Sequence, residues 1–421
     1  MNNSHSCEES SFLPRWLAPA LGRAVADHPV VALTGARQVG KSTLLEHAEP
    51  TKHWKYVTFD NSDAMKQGER DPAGLWAGTD RVILDEVQRL PGILSAVKQS
   101  IDEHPRKMHF VLSGSANLLL MRQVSESLAG RAVCLTLLPM TLGEMHKKPL
   151  PGLLEAVLEG HFPKEERLAA AADDPISAIS KGFMPGLLAL PSAESRTRWW
   201  EGYAATYLER DLRRLSQVES LSDYRTVMEV LALRAGQVVN QTEVARDSHV
   251  SQPTVHRYLN LLETTCLIDR LPAFARNRTK RLIKAPKLHW VDPALAAYLG
   301  GLHDEASIKA AREAGALFEN LVFHHLKVLA GMFTPKLRLY YWRTMKGKEV
   351  DFVLERGRKI IAVEVKLSSS PRYADCEGLE AFLKDHPEAS GGILIHTGKD
   401  IVRMGTKTIA LPWTTIAGAR P

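Results

Sequence analysis

Three hydrophobic patterns divide this chain. Short apolar runs come first, at Val30 to Leu33, Arg81 to Leu84, His109 to Leu112 and Ala132 to Leu138. Each is bounded by polar or turn-forming residues and predicts a strand, with a further short one from Trp54 to Phe59. A helical period follows in the middle of the chain. Val255, Tyr258, Leu259 and Leu262 fall at i, i+3, i+4 and i+7, so they share one helix face, and Ser251 stands in the N-cap position. Gln241 to Asp247 predicts the helix before it, with a turn over Ser248 to Val250. Towards residue 421 alternation takes over. An amphipathic helix, Gly315 to Ala330, precedes strands predicted at Leu337 to Trp342, Glu349 to Leu354 and Ile360 to Leu367. In the third of these, Ile361, Val363, Val365 and Leu367 face one way and Glu364 and Lys366 the other.

The turn after the first run carries a defined chemistry. Gly35, four residues, then Gly40, Lys41 and Ser42 is the G-x-x-x-x-G-K-S spacing of a phosphate loop, Walker A. Its glycines let the backbone turn so that N–H groups point at phosphate oxygens. Lys41 neutralises β/γ-phosphate charge, and the Ser42 hydroxyl is suited to ligate Mg²⁺. Gln38, Val39 and Thr43 complete the candidate nucleotide-binding set, and a helix from Ser42 to His47 aims its positive end at the same phosphates. A glycine turn with a chance lysine is the plainer alternative. The strand before and the helix after favour the nucleotide.

The run from Arg81 ends in Asp85-Glu86, a Walker B pattern. Asp85 suits the Mg²⁺ shell, and Glu86 can orient the attacking water. After His109 to Leu112 comes S-G-S-A-N, where Ser115, or second to it Asn117, can sense a γ-phosphate; a loop or helix cap is the alternative.

Composition alters this picture little. The chain has 421 residues, 44% hydrophobic and 24% charged, with a net charge of +6. That suggests two to four domains and permits a nucleic-acid partner without requiring one. Cys7, Cys134, Cys266 and Cys376 lie far apart and form no metal-like cluster, so a reduced cytoplasmic setting is expected. The first ten residues lack a signal peptide's apolar core, and no apolar stretch reaches spanning length, so no membrane partner is expected.

Charge becomes informative in the middle of the chain. On the predicted helix after Ser251, His256, Arg257 and Asn260 point outward. Helix, short turn and helix with a polar outer face predict a helix-turn-helix whose second helix suits a major groove. Leu267 to Ile283 is expected to supply strands, a wing. Six of the twelve residues from Arg276 to Lys287 are basic, among them Arg278, Lys280, Arg281 and Lys284, and form a candidate phosphate track. A protein-docking module and a solvated basic hairpin are the alternatives. Near the other end, Glu364 and Lys366 share a strand face with Asp351 on the neighbouring strand. Two carboxylates can hold Mg²⁺, and a lysine beside them can steady the attacking water. A salt-bridged surface is the alternative.

G-A-R-Q-V-G-K-S-T, I-L-D-E-V-Q-R-L-P, L-S-G-S and S-E-S-L-A-G-R, in this order, resemble a widespread prokaryotic AAA-type ATPase family whose C-terminal half is a domain of unknown function. Tyr207 to Leu212, the Arg276 to Lys287 run and the two late strands extend the resemblance over nearly the whole chain. It implies a P-loop ATPase using ATP and Mg²⁺, and no particular substrate. In AAA-type ATPases the residue preceding the last sheet strand is often an arginine finger for a neighbouring subunit, and Arg131 sits at the matching place; a surface arginine after a glycine cap is the alternative. A homo-oligomer is therefore expected, a hexamer among the options. Asp351, Glu364 and Lys366, with Glu319 on the helix upstream, resemble the PD-(D/E)XK nuclease fold. The resemblance implies Glu319, Asp351 and Glu364 as metal ligands and Lys366 as the catalytic lysine. His324 and His325 are expected to pack or be solvated rather than ligate.

The resulting expectation is an α/β chain in four parts. These are an AAA-type ATPase core (1–146), lid or linker helices (147–195), a helical and winged-helix domain (196–301) and a PD-(D/E)XK-like domain (302–421). Arg210, Asp211, Arg213 and Arg214 are expected on an exposed helix face. The functional expectation is an ATP-hydrolysing protein acting on DNA, branched DNA among the options, with the C-terminal nuclease-like domain binding DNA or cleaving it with Mg²⁺. The alternative is a nucleotide-switched signalling or defence ATPase whose winged helix docks a protein.

Overall fold

The computed structural model describes residues 12–104, 107–114, 128–168, 173–206, 220–277, 281 and 284–418. They form two compact units. One is the chain to Leu137 with Glu144–Pro149; the other is Leu138–Gly143 with Leu150 onward.

The first unit holds a parallel five-stranded sheet. Its strands are β1 (Val30–Thr34), β2 (Lys55–Thr58), β3 (Arg81–Asp85), β4 (His109–Ser113) and β5 (Ala132–Thr136), in the order β2-β3-β4-β1-β5. Helices α1 (Ala18–Asp27), α2 (Lys41–His47), α3 (Ser62–Arg70) and α4 (Ile93–Glu103) lie between or before the strands. Every residue of β1 is buried, which is why its sequence does not alternate. On one sheet face Val30, Ala32, Val82, Leu84, Phe110 and Leu112 share a core with Ile93, Leu94, Val97 and Ile101 of α4.

The second unit is built on a seven-stranded mixed sheet. In chain order its strands are β6 (Glu166–Arg167), β9 (Arg338–Arg343), β10 (Glu349–Arg356), β11 (Lys359–Lys366), β12 (Gly391–His396), β13 (Asp400–Arg403) and β14 (Thr408–Pro412). They are arranged β6-β13-β14-β12-β11-β10-β9. A separate antiparallel pair, β7 (Ile268–Leu271) with β8 (Lys287–Trp290), stands beside it. Among the described residues the helices of this unit include α5 (Leu153–Leu158), α6 (Pro175–Lys181), α7 (Ala193–Thr206), α8 (Leu221–Ala232), α9 (Gln241–Ser248), α10 (Gln252–Thr264), α11 (Pro293–Leu299), α12 (Glu305–Ala310), α13 (Ala314–Gly331) and α14 (Glu377–Asp385).

Two expectations change here. The stretch 147–195 is not a run of lid helices: α5 packs on β11, and Glu166–Arg167 pairs with β13 as an edge strand of the late sheet. Among the described residues the second strand of the hairpin is Lys287–Trp290, beyond the Leu267 to Ile283 span expected to supply the strands. Pro272 ends β7, since proline cannot donate to the ladder. The helix pair around Ser251 forms as the periodicity predicts. Ser251 accepts from the Thr254 amide at 3.3 Å, and Val255, Tyr258, Leu259 and Leu262 are buried. Arg210, Asp211, Arg213 and Arg214 lie outside the described residues. No helix among the described residues is long and apolar enough to cross a membrane.

Candidate functional sites

The first site forms at the end of β1. Gly35 has φ 146°, and a Cβ there would lie 2.2 Å from the Leu137 carbonyl oxygen, so only glycine fits. Gln38 and Gly40 both adopt left-handed backbone, and α2 starts at Lys41 with no side chain capping it. Lys41, 7% exposed, donates to the carbonyls of Gly35 (3.0 Å) and Ala36 (2.9 Å). Val39 is held from outside: its carbonyl accepts from Arg15 Nη1 at 2.9 Å, and Arg15 pairs with buried Glu144 at 3.2 Å.

Ser42 Oγ donates to Asp85 Oδ2 at 2.8 Å, bringing the expected hydroxyl and carboxylate together. Tyr56 donates to the same oxygen from β2, and the Glu86 amide donates to Asp85 Oδ1 at 3.0 Å. Glu86 itself has left-handed backbone, φ 56°, and its carboxylate accepts from the Gln88 amide. Burial, then the neighbouring Asp85 charge, pushes its carboxyl above the ordinary range. Burial and Asp85 likewise push the Tyr56 phenol up, so it remains a donor. This hydroxyl–carboxylate pair, lysine and left-handed loop fit a bound Mg²⁺–nucleotide.

Sequence reasoning missed Tyr56, Arg15 and Glu144. The strand run around Tyr56 was visible, but not that Tyr56 pairs with Ile83, two residues before Asp85. Thr43 follows Ser42 in the first turn of α2. Ser115 and Asn117 lie outside the described residues. Arg131 precedes β5 and is level with Val30, at the opposite end of the sheet from the phosphate loop of its own chain. Its guanidinium is bonded to Asp102 at 2.7 and 2.9 Å.

The second site lies on the late sheet. Asp351 of β10 accepts from the Val365 amide of β11 at 2.9 Å, and Lys366 donates to Glu364 at 2.7 Å. Glu319, on α13, joins them. What the sequence did not indicate is the residue that links them. Lys287, the first residue of β8, is 3% exposed, and its Nζ lies 2.5 Å from Glu349, 3.1 Å from Glu319 and 3.3 Å from Asp351. Burial alone would lower its pKa, but the three carboxylates outweigh it and keep the ammonium charged. Burial, with Asp351, pushes the carboxyls of Glu319 and Glu364 upward.

Two features fix Lys287 there. Asn320, next to Glu319, accepts from the Trp290 amide (2.7 Å) and donates to its carbonyl (2.9 Å), stitching β8 to α13. Gly236, with φ +70°, leaves room for the Glu319 carboxylate, which a Cβ would approach to 3.2 Å. The donor set therefore does not fit Mg²⁺ as it stands, because an ammonium, which has no lone pair to ligate with, fills its centre. In sequence Lys287 reads as the last of the basic run; the one signal was that it opens K-L-H-W, a short run in which all four residues are buried in the structure.

Several expected DNA contacts are corrected by the same geometry. Lys287 does not belong to a phosphate track. Nor does Arg281: it is buried, pairs with Glu355 at 2.7 and 3.0 Å, and lies under the rings of Phe274 and Tyr340. Aromatic rings and a carboxylate on the adjoining sheet outcompeted solvent for its guanidinium. Arg276 is exposed but bonds the Asp385 carbonyl at 2.5 Å; Lys284 is exposed. Arg278 and Lys280 lie outside the described residues. On α10, His256 is exposed and Arg257 and Asn260 half-buried, on the outer face as expected. His324 and His325 pack against Phe183 and hydrogen-bond the backbone of Met140 and Leu142.

Comparison with known proteins places the first unit in a class. Residues 27–146 match a family described as "AAA domain", so the chain carries a P-loop AAA ATPase-like domain. Residues 173–306 and 314–416 match two domains of unknown function, DUF8612 and DUF4143. The chain is 30% identical over 356 residues to Uncharacterized protein Rv2008c of Mycobacterium tuberculosis, covering 84% of this chain and 74% of that one. Uncharacterized protein Mb2031c of Mycobacterium bovis matches equally. The chain belongs to the family of these proteins. Among solved structures, the Walker-type ATPase paby2304 of Pyrococcus abyssi aligns at 17% identity over 69% of this chain and 97% of that chain, with a TM-score of 0.44.

Proposed function

We propose that this protein hydrolyses ATP with Mg²⁺ as a homo-oligomer and uses that cycle to act on DNA, duplex or branched. The observation that carries the ATPase reading is the Ser42–Asp85 hydrogen bond beside Glu86, at the end of a glycine-shaped loop. Bound Mg²⁺–ATP supplies the phosphoanhydride and the charge that neutralises it. Lys41 exchanges its loop carbonyls for phosphate oxygens. Ser42 and Asp85 would hold the Mg²⁺, which would neutralise phosphate charge, and Glu86 would orient the attacking water. Arg131, remote from its own loop, serves a neighbouring subunit once it leaves Asp102.

The DNA reading rests on α10, whose outer face offers His256, Arg257 and Asn260 after a helix-turn-helix, with the β7–β8 hairpin as the wing. The PD-(D/E)XK-like unit then supplies further grip. One observation favours a second reading, a nucleotide-switched ATPase whose winged helix docks a protein: Arg281 and Lys287 are bound internally, which thins the track. Incubating the purified protein with ATP, Mg²⁺ and labelled linear, forked and four-way DNA tests both. DNA-stimulated hydrolysis with salt-sensitive binding supports the first; hydrolysis indifferent to every DNA, with no binding, leaves the second.

A further inference from the structure

We propose that the Lys287 ammonium is the resident cation of the late-sheet carboxylate cluster, standing where a divalent metal would bind, so that metal enters only when Lys287 is withdrawn. Three observations carry this. The ammonium touches Glu319, Glu349 and Asp351 at once, from two separate elements, while almost wholly shielded from water. Carboxylates this buried need a counter-charge, and an ammonium and a divalent cation compete for the same oxygens. Next, Glu364, which Lys287 does not reach, keeps one buried oxygen, Oε2, without a hydrogen-bond partner. An acceptor left over at the edge of a filled cluster is what a larger, multi-ligand cation would use. Finally, Lys287 is the first residue of a four-residue strand in a two-stranded ladder. Withdrawing the lysine means releasing that end from β7, from its bridge to Val238 and from the Tyr341 hydroxyl that donates to the Ala285 carbonyl at 2.6 Å, while the backbone ladders of the seven-stranded sheet stay paired. The hairpin thereby acts as a plug, and whatever engages it controls whether the cluster takes metal.

This inference is independent of the DNA reading, because it is read with no DNA present. The measurement is Mn²⁺ binding to the full-length protein without nucleotide, by calorimetry and by the spin resonance of free Mn²⁺. All proteins carry Asp85→Asn to remove the phosphate-loop ligand. With Lys287 in place, no Mn²⁺ should bind at the cluster. Lys287→Met should bind Mn²⁺ about tenfold or more tighter than its parent, and its melting temperature should rise with Mn²⁺. Adding Asp351→Asn should abolish both effects. A folded Lys287→Met protein that takes up no Mn²⁺ overturns the proposal. So does a Lys287 parent that binds Mn²⁺ and loses it on Asp351→Asn, a comparison that stands even if Lys287→Met does not fold.

Discussion

At the scale of single residues, Asp85 shows how a short motif depends on a neighbour it cannot name. Its Oδ2 accepts from both Ser42 and Tyr56. A partner that orients a metal-binding carboxylate tunes the metal, commonly by 10- to 100-fold. Tyr56→Phe should therefore need roughly tenfold more Mg²⁺ for half-maximal ATP hydrolysis, with ATP binding itself little changed. An unaltered Mg²⁺ curve would remove Tyr56 from the site. Glu86 gives a pH prediction. Its folded-state pKa is raised, and water orientation needs the carboxylate, so activity should fall on acidification sooner than an ordinary glutamate would allow. Gln88 favours the charged form, so Gln88→Leu should move that acid limb to higher pH; a limb that stays put would detach it from Glu86. Lys41→Ala should abolish nucleotide binding, and Glu86→Gln should bind ATP but trap it, both read by filter binding and phosphate release. Gly35 to Ser42 and Asp85-Glu86 stand out in the sequence because each is a short contiguous motif at the end of an apolar run, although the Ser42–Asp85 contact joins positions 43 apart. Tyr56 and Lys287 do not, because each is set by pairing and packing between distant segments.

At the scale of elements, the periodicity around Ser251 predicted the α9–α10 pair closely, since cap, turn and apolar face agree with one another. Ser251→Ala should cost about 1 kcal/mol in urea unfolding, with no new exposed apolar surface. The β7–β8 pair was read only in part. Basic residues resemble one another in sequence whether they face water or a carboxylate, so Arg281 and Lys287 passed for solvated cations. Arg281→Ala should behave as the loss of a largely buried ion pair. It should destabilise the protein by about 2–3 kcal/mol, at the low end because the guanidinium keeps some solvent contact. A DNA-contact role would instead flatten the salt dependence of binding with stability unchanged, and denaturant titration separates the two.

At the scale of whole units, the boundaries read from turns and composition cut across the second core. A fragment of residues 302–421 would hold Glu319, Asp351, Glu364 and Lys366 and lack Lys287, β6 and the strand stitched to Asn320. It should show no cooperative melt by circular dichroism, whereas residues 138–421 should melt in one transition. A cooperative melt of the shorter fragment would refute the discontinuous core. Linkers and edge strands look alike in sequence when, as at Glu166–Arg167, both strand residues are exposed and charged. The long reach of this core also bears on how the chain is made. Met140 meets His324, Leu158 meets Ser390, and Asp173 accepts from Trp413, which is fully buried. A nascent chain emerging from the ribosome therefore carries α5 until β11 has been made, and α6 until α11, α12 and α13 have been made. The AAA domain, whose contacts close by about residue 149, can fold meanwhile. The waiting helices expose apolar faces throughout that interval, which makes this stretch the place where holding chaperones would act during synthesis.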